Sequence, residues 1–135
     1  MKINWKNLVV VLVFMLFSIN CIAENFLALC LEVNGEKANV KCTIDLTINE
    51  RNGYIIISYP QKLKLTAQYV KAQNETGCSY ICNGSDGHKY QVNFTDASIF
   101  VKNSMLINIY RLQNGETEKV ALYRYSVYWK ENHGE

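Results

Sequence analysis

Apolar and polar residues alternate with period two along most of the chain. The pattern is clearest in VKCTIDLTIN, where Val40, Cys42, Ile44, Leu46 and Ile48 share one side and Lys41, Thr43, Asp45, Thr47 and Asn49 the other. Successive side chains of an extended strand point to opposite faces, so this arrangement buries one set and wets the other. A helix would scatter the same apolar residues around its circumference. Similar runs follow. YIIIS covers Tyr54 to Ser58, KLKLTAQYV puts Leu63, Leu65, Ala67 and Tyr69 on one face, and KYQVNF aligns Tyr90, Val92 and Phe94. SIFVK, MLINIYRL and KVALYRYSVYW complete the series, the last with Tyr123, Tyr125, Val127 and Trp129 on one face and Val120, Leu122, Arg124, Ser126 and Tyr128 on the other. In LALCLEV the phase is ambiguous. Leu27, Leu29, Leu31 and Val33 form the more continuous apolar set, but Phe26 and Ala28 share a face with Cys30.

Between these runs stand turn residues, including Asn-Gly pairs at 34–35, 52–53, 83–84 and 114–115. Such pairs accept the positive backbone angles of tight hairpins, so neighbouring strands should be antiparallel. No amphipathic helical stretch intervenes. The pattern therefore predicts an all-β, single-domain antiparallel meander of seven to nine strands. Without a helix to cover its apolar face, the sheet must curl on itself or fold into two layers. A small barrel, which removes exposed edges, is the expectation over a sandwich.

The first residues break the pattern. MKINWKNLVVVLVFMLFSINCIAEN has Lys2 and Lys6 ahead of an apolar run from Leu8 to Phe17 and a small residue at Ala23. Those are the parts of a secretory signal, expected to occupy 1–23 and to leave a β-domain at 24–135. The run is about half of the roughly 20 residues that a transmembrane helix needs. No transmembrane span is expected, and the product is assigned to the periplasm or the medium. The minority alternative is a lipoprotein anchored at Cys21, which Asn20 in front of it disfavours.

Loss of Lys2 and Lys6 lowers the 14 basic residues to 12, against 12 acidic ones. Nucleic-acid affinity comes largely from phosphate neutralisation, so a neutral chain without a basic cluster argues against that partner. Four cysteines remain beyond the signal: Cys30, Cys42, Cys78 and Cys82. In a small exported chain an even number points to two disulfides. The local pairing, Cys30–Cys42 and Cys78–Cys82, is the expectation, with a five-residue loop from Asn34 to Ala38 setting the first pair on a hairpin. Cys78 and Cys82 would lie about 13 Å apart in a straight strand, so their bridge requires a bend.

CSYICNGSDGHKY, residues 78–90, has the residue density of a metal or catalytic loop. Zinc would find Cys78, Cys82 and His88 but no second close cysteine pair. Calcium would find Asp86 alone, without further carboxylates. The stretch reads as a turn, with Asn83-Gly84 and Asp86-Gly87 reversing the chain. Only His88 and His133 could serve as imidazole bases, and no Gly-x-Ser-x-Gly elbow is present. No catalytic residue, metal ligand or cofactor is assigned, and an enzyme is not expected.

The architecture is of the kind found in small exported bacterial β-proteins, among them lysozyme inhibitors and lipocalin-like carriers. No motif singles out a family, and the lipocalin Gly-x-Trp signature near the first strand is absent. The expected function is non-enzymatic binding of another protein, as an inhibitor or as a host- or envelope-interaction module. Candidate contacts are Asn83, Asp86 and His88 in the loop, and Tyr110, Arg111, Arg124 and Tyr128 on the last long strands, because Tyr and Arg are enriched at binding hot spots. The alternative is a carrier of a small hydrophobic ligand whose barrel interior is lined by Tyr54, Tyr69, Tyr90, Phe94 and Tyr110. Sequons begin at Asn74, Asn83 and Asn93.

Overall fold

A computed structural model describes residues 22–48, 53–96 and 104–128. The signal segment up to Cys21, the Ser98–Lys102 run, Trp129 and His133 lie outside the described residues. Every regular element described is a strand: β1 (Ile22–Val33), β2 (Glu36–Ile48), β3 (Gly53–Ile57), β4 (Leu63–Asn74), β5 (Gly77–Gly84), β6 (Lys89–Asp96), β7 (Ser104–Gln113), β8 (Glu116–Thr117) and β9 (Tyr123–Tyr128).

β1 to β7 pair in chain order, all antiparallel, and β9 closes the ring by pairing with both β7 and β1. Eight strands thus form a closed barrel, and the two-residue β8 adds a short flap beside β7. The expected small barrel is what the chain builds. Closure pairs every long strand on both sides over part of its length; because β3 has only five residues, residues 36–43 of β2 and 67–74 of β4 have no strand partner on the β3 side.

The period-two pattern explains which residues fill the interior. Ile44, Ile57, Leu63, Leu65, Tyr90, Val92, Ile107, Ile109, Tyr125 and Val127 are fully buried, and their strand neighbours face outward. Each such side chain contributes about 1.5–3 kcal/mol through removal from water. The ambiguous strand is settled by its neighbours: Phe26, Ala28 and Cys30 point inward, and Leu27 remains 64% exposed.

Irregularities in three strands change what alternation alone would give. The register of β1 shifts between Cys30 and Glu32 against both neighbours, and Asn39 on β2 takes a φ of 53°. That shift brings Val33 onto the core beyond the inward Cys30. The hairpin itself is a two-residue turn at Asn34-Gly35, with φ of 52° and 84°, and not the five-residue loop expected. On β4 a bulge between Ala67 and Tyr69 carries Tyr69 to the outer face, where it is 59% exposed. Leu63, Leu65 and Ala67 keep the inward phase.

The barrel end carrying the 34–35, 58–62, 84–88 and 113–122 connections is knitted together by long-range bonds. Asn34 N donates to Leu122 O at 2.7 Å, Ser85 N to Lys64 O at 2.8 Å, and the buried Tyr125 hydroxyl to Tyr59 O at 2.7 Å. At the opposite end, Gly77 lies so close to β6 that a Cβ there would stand 2.0 Å from Phe94 O.

Candidate functional site: the outer groove beside the loop end

The interior offers little room. Its cavity, among Leu46, Ile55, Leu65, Tyr80, Val92 and Phe94, has a volume of about 30 Å³, roughly that of one water. The buried Tyr80 hydroxyl there has no oxygen or nitrogen partner and sits beside the Cys78 thiol. Of the five aromatics expected to line a carrier's interior, Tyr90 and Phe94 point inward. Tyr54 borders that small cavity but is half-buried on the outer side, Tyr110 is half-buried on the outer face and Tyr69 is displaced there by the bulge. Tyr54 packs under the Lys64 ammonium, 4.1 Å from the ring centroid.

The larger concavity is on the outside. A groove of about 690 Å³ runs over the outer face of β4, β5 and β6 and is walled by the 84–88 loop and the β7–β8 turn. Cross-strand register builds its floor: Tyr69 faces Ile81, Ile81 faces Gln91, and Gln91 faces Tyr110. Ile81 is an outward apolar side chain, yet only 7% exposed, because its neighbours rise around it. Asn83 faces Lys89 one step nearer the loops, and Leu112, Asn114 and Gly115 close the far side. Lys71 reaches across to donate to Gln91 Oε1 at 2.9 Å. Lys71, Lys89 and His88 are the basic side chains of the lining, and no carboxylate belongs to it.

Hydrogen bonds within the 84–88 loop define its shape. Gly84 N donates to His88 O at 2.8 Å, and His88 N donates to Asp86 Oδ1 at 3.0 Å. The fully buried Tyr90 donates its hydroxyl to Asp86 Oδ2. Partial burial works against the Asp86 carboxylate, but the bonds from Tyr90 and His88 outweigh it and hold the group below its ordinary range. Burial, followed by the Asp86 contact, pushes Tyr90 up to about 12. Gly84 makes room for this latch, since a Cβ there would meet Asp86 Oδ1 and the Tyr90 ring at 2.6 Å.

The seven contact residues expected from sequence thus separate. Asn83 and His88 line the groove, and Tyr110 continues its floor row. Asp86 is tied to Tyr90 at the barrel mouth. Arg111 pairs in register with Tyr90 and so turns inward, its Nε buried without a hydrogen-bond partner. Arg124 lies on another part of the wall, bonded to Asn108 Oδ1 at 3.1 Å and ion-paired with Glu32 at 3.2 Å. Tyr128, 38% exposed, adjoins the exposed Leu27 on β1. Reasoning from sequence overlooked Tyr69, Lys71, Ile81, Lys89 and Leu112 as a group. Ile81 carried the available signal, an apolar residue among the outward Ser79 and Asn83.

All four cysteines are free thiols here, where two disulfides were expected. β5 pairs without interruption with β6 from Gly77 to Asn83, so Cys78, Tyr80 and Cys82 point inward in succession. The bend required for a Cys78–Cys82 bridge is therefore missing, and the two lie about 13 Å apart, beyond the roughly 7 Å limit. Cys30 faces Val40 and Cys42 faces Ala28, two register steps apart on the ladder. Burial, with a smaller effect of Cys42, raises Cys30 to about 11; burial also raises Cys78 to about 11 and Cys82 to about 12. Among the described residues, no three His, Cys, Asp or Glu side chains converge as metal ligands. No described helix is long and apolar enough to cross a membrane.

The molecule is therefore defined by its fold, a closed eight-stranded antiparallel barrel with one extra short strand, and by a basic outer groove. None of the protein-family models, curated proteins or solved structures compared with the chain matches it.

Proposed function

We propose that the chain acts, after export and removal of residues 1–23, as a non-enzymatic module that binds another protein through the outer wall of its barrel. The observation that carries this reading is the distribution of space: about 30 Å³ inside, against about 690 Å³ in the outer groove. Drug-sized ligands occupy pockets of roughly 300–1,000 Å³, so the interior is too full for a carrier and the groove is in the range for recognition. The walls of the groove are held by backbone bonds and by the Asp86–Tyr90 latch, which favours a preformed surface that loses little freedom on binding.

The test is site-specific photocrosslinking in the native exported fraction, with the photoreactive residue placed at Asn83 or His88 and, as a control, at Thr47 on the opposite wall. The reading expects one protein crosslinked from the groove positions, the same protein binding the purified chain, and no crosslink from Thr47. Equal crosslinking from all three positions, or a lipid copurifying in stoichiometric amount, would overturn it.

A further inference from the structure

Resting on the binding-module reading, we infer that the groove's occupant is an extended, acidic segment of the partner protein. Its carboxylates are held by Lys71 and Lys89, and its apolar side chains sit on Ile81 and Tyr69.

Charge complementarity gives the sign. The lining contributes Lys71, Lys89 and His88 and no carboxylate, although the chain beyond the signal is neutral. Both lysines line the same groove. The Lys71 side chain crosses β5 to reach Gln91, which lies two residues from Lys89 on the same outward face of β6. Asp86 is the nearest acidic residue in sequence, but both of its oxygens are occupied, one by His88 N and the other by the Tyr90 hydroxyl. Those donors are neutral and the carboxylate keeps its charge, but Asp86 is turned to the barrel mouth and is not part of the groove lining, whose own charged groups are cationic. A segment carrying carboxylates gains there, and one carrying lysines is repelled.

The floor indicates a polypeptide over a bare anion. Ile81 and Leu112 are aliphatic, and Tyr69 presents an exposed ring beside them. Successive side chains of an extended peptide point to opposite sides, so one set would meet this apolar floor and the other would be free to reach the lysines. β5 and β6 are paired on both sides, so over the groove floor the segment is held by side chains and not as an added strand.

The experiment is selection of random 12-residue peptides displayed on phage against the intact purified protein. Selected peptides are then measured by fluorescence anisotropy against the wild type, a Lys71→Glu/Lys89→Glu variant and an Asn83→Trp variant that fills the groove. All three positions are exposed, so folding is retained and is checked by thermal melting. The inference expects enrichment of Asp and Glu interspersed with apolar residues. It also expects a loss of about tenfold or more in the double charge reversal, and a comparable loss when the peptide's Glu are replaced by Gln. Peptides that Asn83→Trp blocks but that are neutral or basic would overturn the acidic assignment and leave the groove as the site. Peptides indifferent to both variants would overturn the groove itself. Absence of any enrichment, or tighter groove binding by a sulfated oligosaccharide than by any peptide, would also overturn the inference.

Discussion

Alkylation of the reduced, folded protein should proceed in a fixed order: Cys42 first, Cys30 and Cys78 next, Cys82 last. The attacking species is the thiolate. Burial places Cys30 and Cys78 at about 11 and Cys82 at about 12, against an ordinary 9.0. At pH 8 those values cut the thiolate fraction roughly 100-fold and 1,000-fold relative to an unperturbed thiol. A more basic thiolate is also a better nucleophile, with a Brønsted slope of about 0.4–0.5, which restores nearly half of the logarithm. The net retardation is about 10-fold for Cys30 and Cys78 and about 30- to 60-fold for Cys82, before the cost of opening the wall. Cys42 is only half-buried, and burial raises it less clearly. Timed iodoacetamide labelling at pH 8, quenched and mapped by mass spectrometry, gives the four rates. Labelling of Cys82 within threefold of Cys42 would refute the burial that the barrel assigns it. In a parallel sample kept unreduced, an intact mass lowered by two or four hydrogens, with thiols that stay unlabelled after unfolding, would show crosslinks in place of free thiols.

Gly77→Ala should destabilise the protein by about 1–3 kcal/mol, because the new Cβ meets the Phe94 backbone carbonyl and the β4–β5 hairpin must move; an unchanged urea midpoint would contradict the packing. Tyr90→Phe should cost about 1 kcal/mol at neutral pH, since it removes the hydroxyl that Asp86 accepts. Asp86 is held low in the folded state, so its contribution is fully present above its unfolded value of about 3.9 and is lost as pH falls through the lower folded value. The melting temperatures of wild type and Tyr90→Phe should therefore converge in acid; a gap that persists below pH 2 would point to packing alone. Tyr125→Phe should cost about 1–2 kcal/mol by leaving the Tyr59 carbonyl without its buried donor, whereas Tyr128→Phe on the exposed wall should stay within about 0.5 kcal/mol. Equal effects in calorimetry would mean that the inward and outward faces of β9 are misassigned.

The fold was legible because alternation and Asn-Gly turns are local signals that the tertiary structure respects. Val92, Phe94, Ile44 and Leu46 point where period two places them. What failed to show was phase. The bulge before Tyr69 and the slip at Leu31 each insert one residue, and one residue exchanges the faces of everything after it. Tyr69 was therefore assigned to an interior that it does not reach. The cysteine pairing failed for a related reason: counting thiols says nothing of the uninterrupted β5–β6 register that keeps Cys78 and Cys82 apart. The groove was half visible. Asn83 and His88 belong to a loop rich in polar residues, but Lys71, Ile81 and Lys89 come together only through the register of three strands. Arg111 shows the converse. It looks like a surface hot spot in sequence, yet its parity on β7 is that of Ile107 and Ile109, so it turns toward Tyr90.

The proposed binding role requires a barrel whose inside is occupied, so that recognition falls to the outer wall. Methyl NMR on the ¹³C-labelled protein tests this directly, by titrating dodecanoate while observing the inward methyls of Leu46, Ile55, Leu65 and Val92. Those resonances are predicted to stay in place up to millimolar ligand. Saturable one-to-one shifts at these interior methyls would contradict the account and make the protein a carrier.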